Sequence, residues 1–111
     1  MTYPLAFSTW GDEEVEAIKR VIDTDMYTMG KHVKQFEQEF AETFGSPHAV
    51  MVNSGSSANL LMLSLLKWKY KLSGDIIVPV VGWATTYFPI SQNGFRLNFV
   101  DVDPNTWNID V

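Results

Sequence analysis

At 111 residues the chain is near the lower end for a single domain, with room for one small hydrophobic core. It is 46% hydrophobic and 19% charged, an ordinary globular balance, and its formal charge of −5 without any Lys/Arg run argues against nucleic acid or an anionic membrane as partner. Cysteine is absent, so neither a disulfide framework nor a thiolate metal site is available, which fits a reducing compartment. The opening Met-Thr-Tyr-Pro lacks the basic-then-apolar pattern of a signal peptide, and Leu60 to Leu66 and Ile76 to Val81 fall far short of the roughly 20 residues a membrane span needs. The chain therefore reads as cytoplasmic.

After an extended start through Trp10, Gly11-Asp12 offers a helix cap, and Glu13, Glu14 and Glu16 suit the positive end of the helix dipole. Val15, Ile18, Val21 and Ile22 recur at helical spacing, which predicts a first helix from Asp12 to about Thr24. The segment Asp25 to Gly30 breaks that pattern. A second helix carries the stripe Val33, Phe36, Phe40 and Phe44 and is stopped by Gly45 and Pro47.

Ala49-Val50-Met51-Val52 reads as a short strand buried on both faces of a parallel sheet. Asn53 to Ser57 ends it, and Ala58 to Lys71 continues as a helix with its basic residues in the last turns. The pattern then repeats: a loop at Ser73-Gly74-Asp75, a buried strand Ile76-Ile77-Val78, a connection from Pro79 to Thr86, and a short helix capped near Asn93-Gly94. Leu97 to Val100 is a third strand, and Asp101 to Asn105 a turn. Strands alternating with helices argue for an α/β fold with parallel pairing, and no linker divides the chain.

The sharpest motif is Asn53-Ser54-Gly55-Ser56-Ser57-Ala58-Asn59, between a strand and a helix. A helix N-terminus offers unpaired N–H groups and a partial positive charge, so it can hold a phosphate without lysine or arginine. Gly55 would let the backbone approach, and Ser56 and Ser57 could add hydroxyl donors; the same serines would serve equally as a helix cap. The motif is not a nucleotide P-loop, a three-glycine dinucleotide fingerprint or a Gly-x-Ser-x-Gly elbow. Trp83, in Val80 to Tyr87 after Pro79, sits where the second strand ends, the edge at which ligands of open α/β sheets gather. Its indole could stack on a flat heteroaromatic ring or simply pack. His32 and His48 have no carboxylate or cysteine at ligand spacing, so no metal site is assigned. The six lysines, Lys19, Lys31, Lys34, Lys67, Lys69 and Lys71, read as solvated helix positions.

Met29-Gly30, Phe36-Glu37, Phe40-Ala41, Gly45, His48-Ala49-Val50 and Asn53 to Leu60 resemble, in that order, the opening of the DegT/StrS family of sugar aminotransferases. Gly74 to Pro79, Trp83-Ala84-Thr85-Thr86, Gly94 and Phe99 to Pro104 are similar to the next blocks of that family. The loop motif and Trp83 to Pro89 are most similar to the branch containing the 3-dehydratases of CDP- and GDP-hexuloses.

The resemblance implies that residues 1–111 are the N-terminal portion of one large domain of the aspartate aminotransferase fold type I. Its cofactor would be pyridoxal 5'-phosphate or pyridoxamine 5'-phosphate, with Gly55, Ser56 and Ser57 on the phosphate and Trp83 stacked on the pyridine ring. It further implies a nucleotide-linked keto sugar as substrate, in deoxy- or aminosugar biosynthesis of the lipopolysaccharide or antibiotic kind, and a homodimeric intact enzyme. The family's pyridine-pairing aspartate, and the lysine that holds the cofactor or the histidine base in its place, match no position here. No catalytic residue is assigned, and the 111 residues alone are expected to be inactive. The competing reading is a small non-catalytic α/β module that binds a phosphorylated ligand through the Gly55 loop.

Overall fold

The computed structural model describes Pro4 and residues 6–110, so part of the expected extended start lies outside the described residues. The chain divides into two compact units, one ending at Met51 and the other beginning at Val52.

The first unit holds two helices. Helix α1 spans Asp12–Ile22 with Gly11 as its N-cap. The Glu14 carboxylate reaches back to accept the Gly11 N–H at 2.7 Å, which satisfies a backbone donor that the helix start would otherwise orphan. That bond, together with the helix's own N–H at Glu14, holds the carboxyl below its ordinary range. Asp12 and Glu13 at the start and Lys19 and Arg20 at the end complement the dipole. The helix stops at Ile22, two residues before Thr24, and Asp25 turns the chain with φ of 52°.

Helix α2 spans Lys31–Thr43. Its phenylalanines stack along one side, with ring centroids 5.6 Å apart for Phe36 and Phe40 and 4.5 Å for Phe40 and Phe44. Gly45 ends it at φ +63°, where the Gly45 N–H donates to Glu42 and the Ser46 N–H to Ala41. This paired closure of the last carbonyls needs a left-handed residue, which is why a glycine stands there.

Residues 49–52 form no strand. The apolar run suggested burial on both faces, yet Val50 and Met51 are exposed. A strand exists only by pairing, and among the described residues nothing pairs with this segment. The Met51 N–H instead donates to a Glu37 carboxylate oxygen at 2.9 Å.

The second unit runs helix α3 (Gly55–Trp68), strand β1 (Asp75–Pro79), helix α4 (Ala84–Gln92) and strand β2 (Arg96–Val100). The strands pair in parallel, Asp75 opposite Arg96 through Pro79 opposite Val100, and a helix covers the connection between them. Flanking bonds from the Arg96 N–H to Gly74 and from the Val80 N–H to Val100 extend the ladder by one step at each end. The core is Val78, Ile90 and Phe95, with Leu63, Ile76, Tyr87 and Leu97 packed against it. Ile77, on the opposite sheet face, is 60% exposed, so the expected burial of Ile76-Ile77-Val78 fails at Ile77.

Helix α4 closes as the Asn93-Gly94 reading requires. Gly94 has φ +71°, its N–H donates to Ser91, and the Phe95 N–H donates to Ile90. The two residues that this closure brings together, Ile90 and Phe95, are core residues, so cap and core form as one unit. After β2, an Asp103 carboxylate oxygen accepts the N–H groups of Asn105 and Thr106, and Val102 forms an antiparallel bridge with Ile109. That is the expected turn at Pro104. No helix among the described residues is long and apolar enough to cross a membrane.

Candidate functional site

The loop singled out in the sequence lies at the start of α3, and the helix begins three residues earlier than its apolar pattern indicates. Ser54 is the N-cap, and Gly55, Ser56 and Ser57 form the first helical turn. The Ser57 N–H donates to Ser54 Oγ at 3.2 Å. The Ser57 hydroxyl donates to Asn53 Oδ1 at 2.6 Å, and Ser54 Oγ lies 3.2 Å from Ser57 Oγ. Both donors of Ser57 are thus engaged inside the loop.

Gly55 and Ser56 differ from Ser57. Among the described residues, neither of their N–H groups nor the Ser56 hydroxyl finds a protein acceptor. The first turn carries no acidic residue. A methyl group added at Gly55 would meet nothing within 4 Å, and its φ lies outside the left-handed region, so neither packing nor conformation within this chain calls for glycine there. Unpaired donors, the positive helix end and the open space beside Gly55 suit a phosphate.

Helix α4 stands beside this turn. A cavity of about 220 Å³ is lined by Ser56, Ser57 and Leu60 of α3 and by Thr85, Phe88, Pro89 and Gln92 of α4. Pro89 lacks the N–H that would bond the Thr85 carbonyl in the regular helical pattern. In the sequence Thr85, Phe88 and Pro89 belong to the family motif without a site role, and Gln92 belongs to no motif. Their spacing of three, one and three residues places them on one helix face, and that was the available signal.

Trp83 is the N-cap of α4, with its side chain 65% exposed. Its position follows from the preceding residue. The Tyr87 hydroxyl donates to the Pro79 carbonyl at 2.8 Å, laying the phenol across Gly82, where a Cβ would come within 2.9 Å of the ring's Cζ. Only glycine admits that approach. Trp83 and the Gly55 loop are therefore carried by packed helices of the same unit, although neither Gly55 nor Trp83 lines the cavity itself.

None of the six lysines lines this cavity. Lys19 pairs with Glu16 at 2.7 Å, and Lys67 lies over the Phe95 ring at 5.2 Å. His32 is on α2 and His48 follows it, both in the first unit, and no group of three or more potential metal ligands occurs among the described residues.

Parallel strands joined through a helix, with a carboxylate-free, donor-rich turn opening α3, define an α/β protein able to accept an anionic ligand at a helix N-terminus. More particularly, the chain belongs to the DegT/DnrJ/EryC1/StrS aminotransferase family, whose model matches residues 8–111. It is 56% identical over its whole length to the GDP-4-keto-6-deoxy-D-mannose 3-dehydratase of Escherichia coli O55:H7 (strain CB9615 / EPEC), covering 30% of that protein. The E. coli enzyme solved with bound hydrated pyridoxal phosphate superposes with a TM-score of 0.87 at 57% identity, over 98% of this chain and 29% of that one. A variant of a GDP-4-keto-6-deoxymannose-3-dehydratase with bound GDP-perosamine gives a TM-score of 0.86 at the same identity and coverage. The chain thus spans about 30% of the length of the relatives it matches.

Proposed function

We propose that these residues form the phosphate-loop portion of a pyridoxal-phosphate-dependent enzyme of nucleotide-sugar metabolism. The cofactor's phosphate sits on the Gly55-Ser56-Ser57 turn, and Trp83 lies against its pyridine ring. The substrate is a nucleotide-linked keto sugar, and loss of the 3-hydroxyl is favoured over transamination by the likeness to 3-dehydratases. Support for a guanosine diphosphate sugar comes from the relative that binds GDP-perosamine. In this reading the intact enzyme is a cytoplasmic homodimer.

The observation that carries the reading is the open face of Gly55. An added methyl would touch nothing in the chain, and the N–H groups of Gly55 and Ser56 beside it find no acceptor among the described residues. When bound, pyridoxal phosphate supplies the electron sink for chemistry at a sugar carbon. What this chain supplies is the hold: N–H donors and the helix dipole for the phosphate, and an exposed indole for the ring. The proton-transfer groups are not among the residues assigned here.

The test uses the full-length gene product. Titration with pyridoxal phosphate and with phosphate-free pyridoxal, followed by tryptophan fluorescence, should show a strong preference for the phosphorylated form. Gly55→Ala should leave the melting temperature at or above that of the parent while weakening pyridoxal phosphate binding by about tenfold or more, the scale of one charged hydrogen-bonding contact. Unchanged affinity in Gly55→Ala would overturn the reading.

A further inference from the structure

The two serines that follow Gly55 look interchangeable in the sequence, yet their hydrogen bonds differ. An amide oxygen only accepts, so the 2.6 Å contact between Ser57 and Asn53 Oδ1 consumes the single hydroxyl hydrogen of Ser57. The 3.2 Å contact with Ser54 must then be donated by Ser54. The Ser57 N–H is spent on Ser54 Oγ. Ser57 thereby ties the side chains of Asn53 and Ser54 together at the entry into α3. Ser56 makes none of these bonds.

We propose, resting on the cofactor reading above, that Ser57 is a positioning residue and not a phosphate ligand. It fixes Asn53 and Ser54 to the first helical turn, so that the Gly55 and Ser56 N–H groups and the Ser56 hydroxyl face the phosphate in advance. The division follows from donor supply. A phosphate needs hydrogen atoms, and Ser57 has none left, whereas the Gly55 and Ser56 pair retains three. Ordering these donors before the ligand arrives removes part of the entropy cost of binding, and that is how a residue that donates nothing to the phosphate can raise affinity for it.

The position and the mechanism can be separated by measuring pyridoxal phosphate and pyridoxal affinities for the full-length protein and its Ser56→Ala, Ser57→Ala, Asn53→Ala and Asn53→Ala/Ser57→Ala variants. Ser57→Ala and Asn53→Ala should each weaken pyridoxal phosphate binding by about three- to tenfold, the range of one neutral hydrogen bond. The double variant should be no weaker than either single one, because both remove the same bond. Pyridoxal affinity should stay constant throughout, and Ser57→Thr, which keeps the donor, should restore the parent value. Should Ser57→Ala not fold, Ser57→Cys, with its weak donor, replaces it in the comparison.

If Asn53→Ala is silent while Ser57→Ala is not, or if their effects add, Ser57 touches the phosphate directly and the assignment is wrong. Equal loss of both ligands would mean a general structural role and would likewise overturn it, as would unchanged pyridoxal phosphate affinity in Ser57→Ala. Parent protein with no preference for the phosphorylated ligand would remove the cofactor reading and this assignment with it, an outcome distinct from the others.

Discussion

Replacing Gly82 by alanine should destabilise the second unit through a single side chain. The new Cβ would come within 2.9 Å of Tyr87 Cζ and closer still to the hydroxyl, so the phenol must swing away. It would leave its 2.8 Å hydrogen bond to the Pro79 carbonyl and its edge contact with Phe99, whose ring centroid lies 5.3 Å away. The hydrogen bond contributes about 1 kcal/mol, and the forced repacking costs about 1–2 kcal/mol more. At roughly 4–8 °C per kcal/mol for a domain of this size, the melting temperature should fall by about 10–20 °C. Thermal melts followed by circular dichroism measure this directly. The cycle with Tyr87→Leu decides the cause: in that background Gly82→Ala should cost less than about 0.5 kcal/mol, the limit for uncoupled sites. A melt of Gly82→Ala within 1–2 °C of the parent, or additivity in the cycle, would refute the argument, since the predicted coupling lies well above that limit.

Two further expectations concern helix ends. Gly94→Ala and Gly45→Ala each force a non-glycine residue to a φ near +70° and +63° and should each lose about 1–2 kcal/mol in urea unfolding, with Asn the mildest replacement at both positions. Glu14 titrates below its ordinary range when folded, so its contribution is present above the unfolded carboxyl value and disappears as pH falls through the folded one. The melting-temperature gap between the parent and Glu14→Ala should therefore be open at neutral pH and close on acidification; a gap independent of pH would contradict the capping role.

Helix stops were legible because their chemistry is local. Gly45 and Asn93-Gly94 are read from backbone sterics alone, and both turned out to be left-handed closures. The parallel pairing of residues 75–79 with 96–100 followed from strand, helix, strand order. The start of α3 was misplaced because Gly55, Ser56 and Ser57 carry no apolar periodicity; Ser54 as cap could have revealed it. Residues 49–52 and the outer face of Ile77 went wrong for another reason. Hydrophobicity reports a tendency to be covered, but what does the covering is a matter of tertiary structure, which no local pattern contains.

In the candidate site, the sequence identified the loop and Trp83 without distinguishing the serines. Ser56 and Ser57 have identical side chains, and the positions of Asn53 and Ser54 separate them. Gly82 falls within Val80 to Tyr87, but the reason for a glycine there is contact with a ring five residues later, which no local pattern contains.

The closure at Gly94 also bears on how the sheet assembles in time. β1 and β2 cannot meet until the chain between them is folded back, and the closure of α4 places Phe95 on Ile90 immediately before Arg96 enters the ladder. A short local contact thereby prepares a pairing that spans 21 positions in register, from Asp75 to Arg96. Local closure is fast, whereas joining distant strands carries the entropy of the loop. If the local closure precedes the strand pairing, strain introduced at Gly94 should slow refolding more than it hastens unfolding, and refolding kinetics of Gly94→Ala measure this. On that expectation, the glycine that ends a helix also governs how soon the sheet can close.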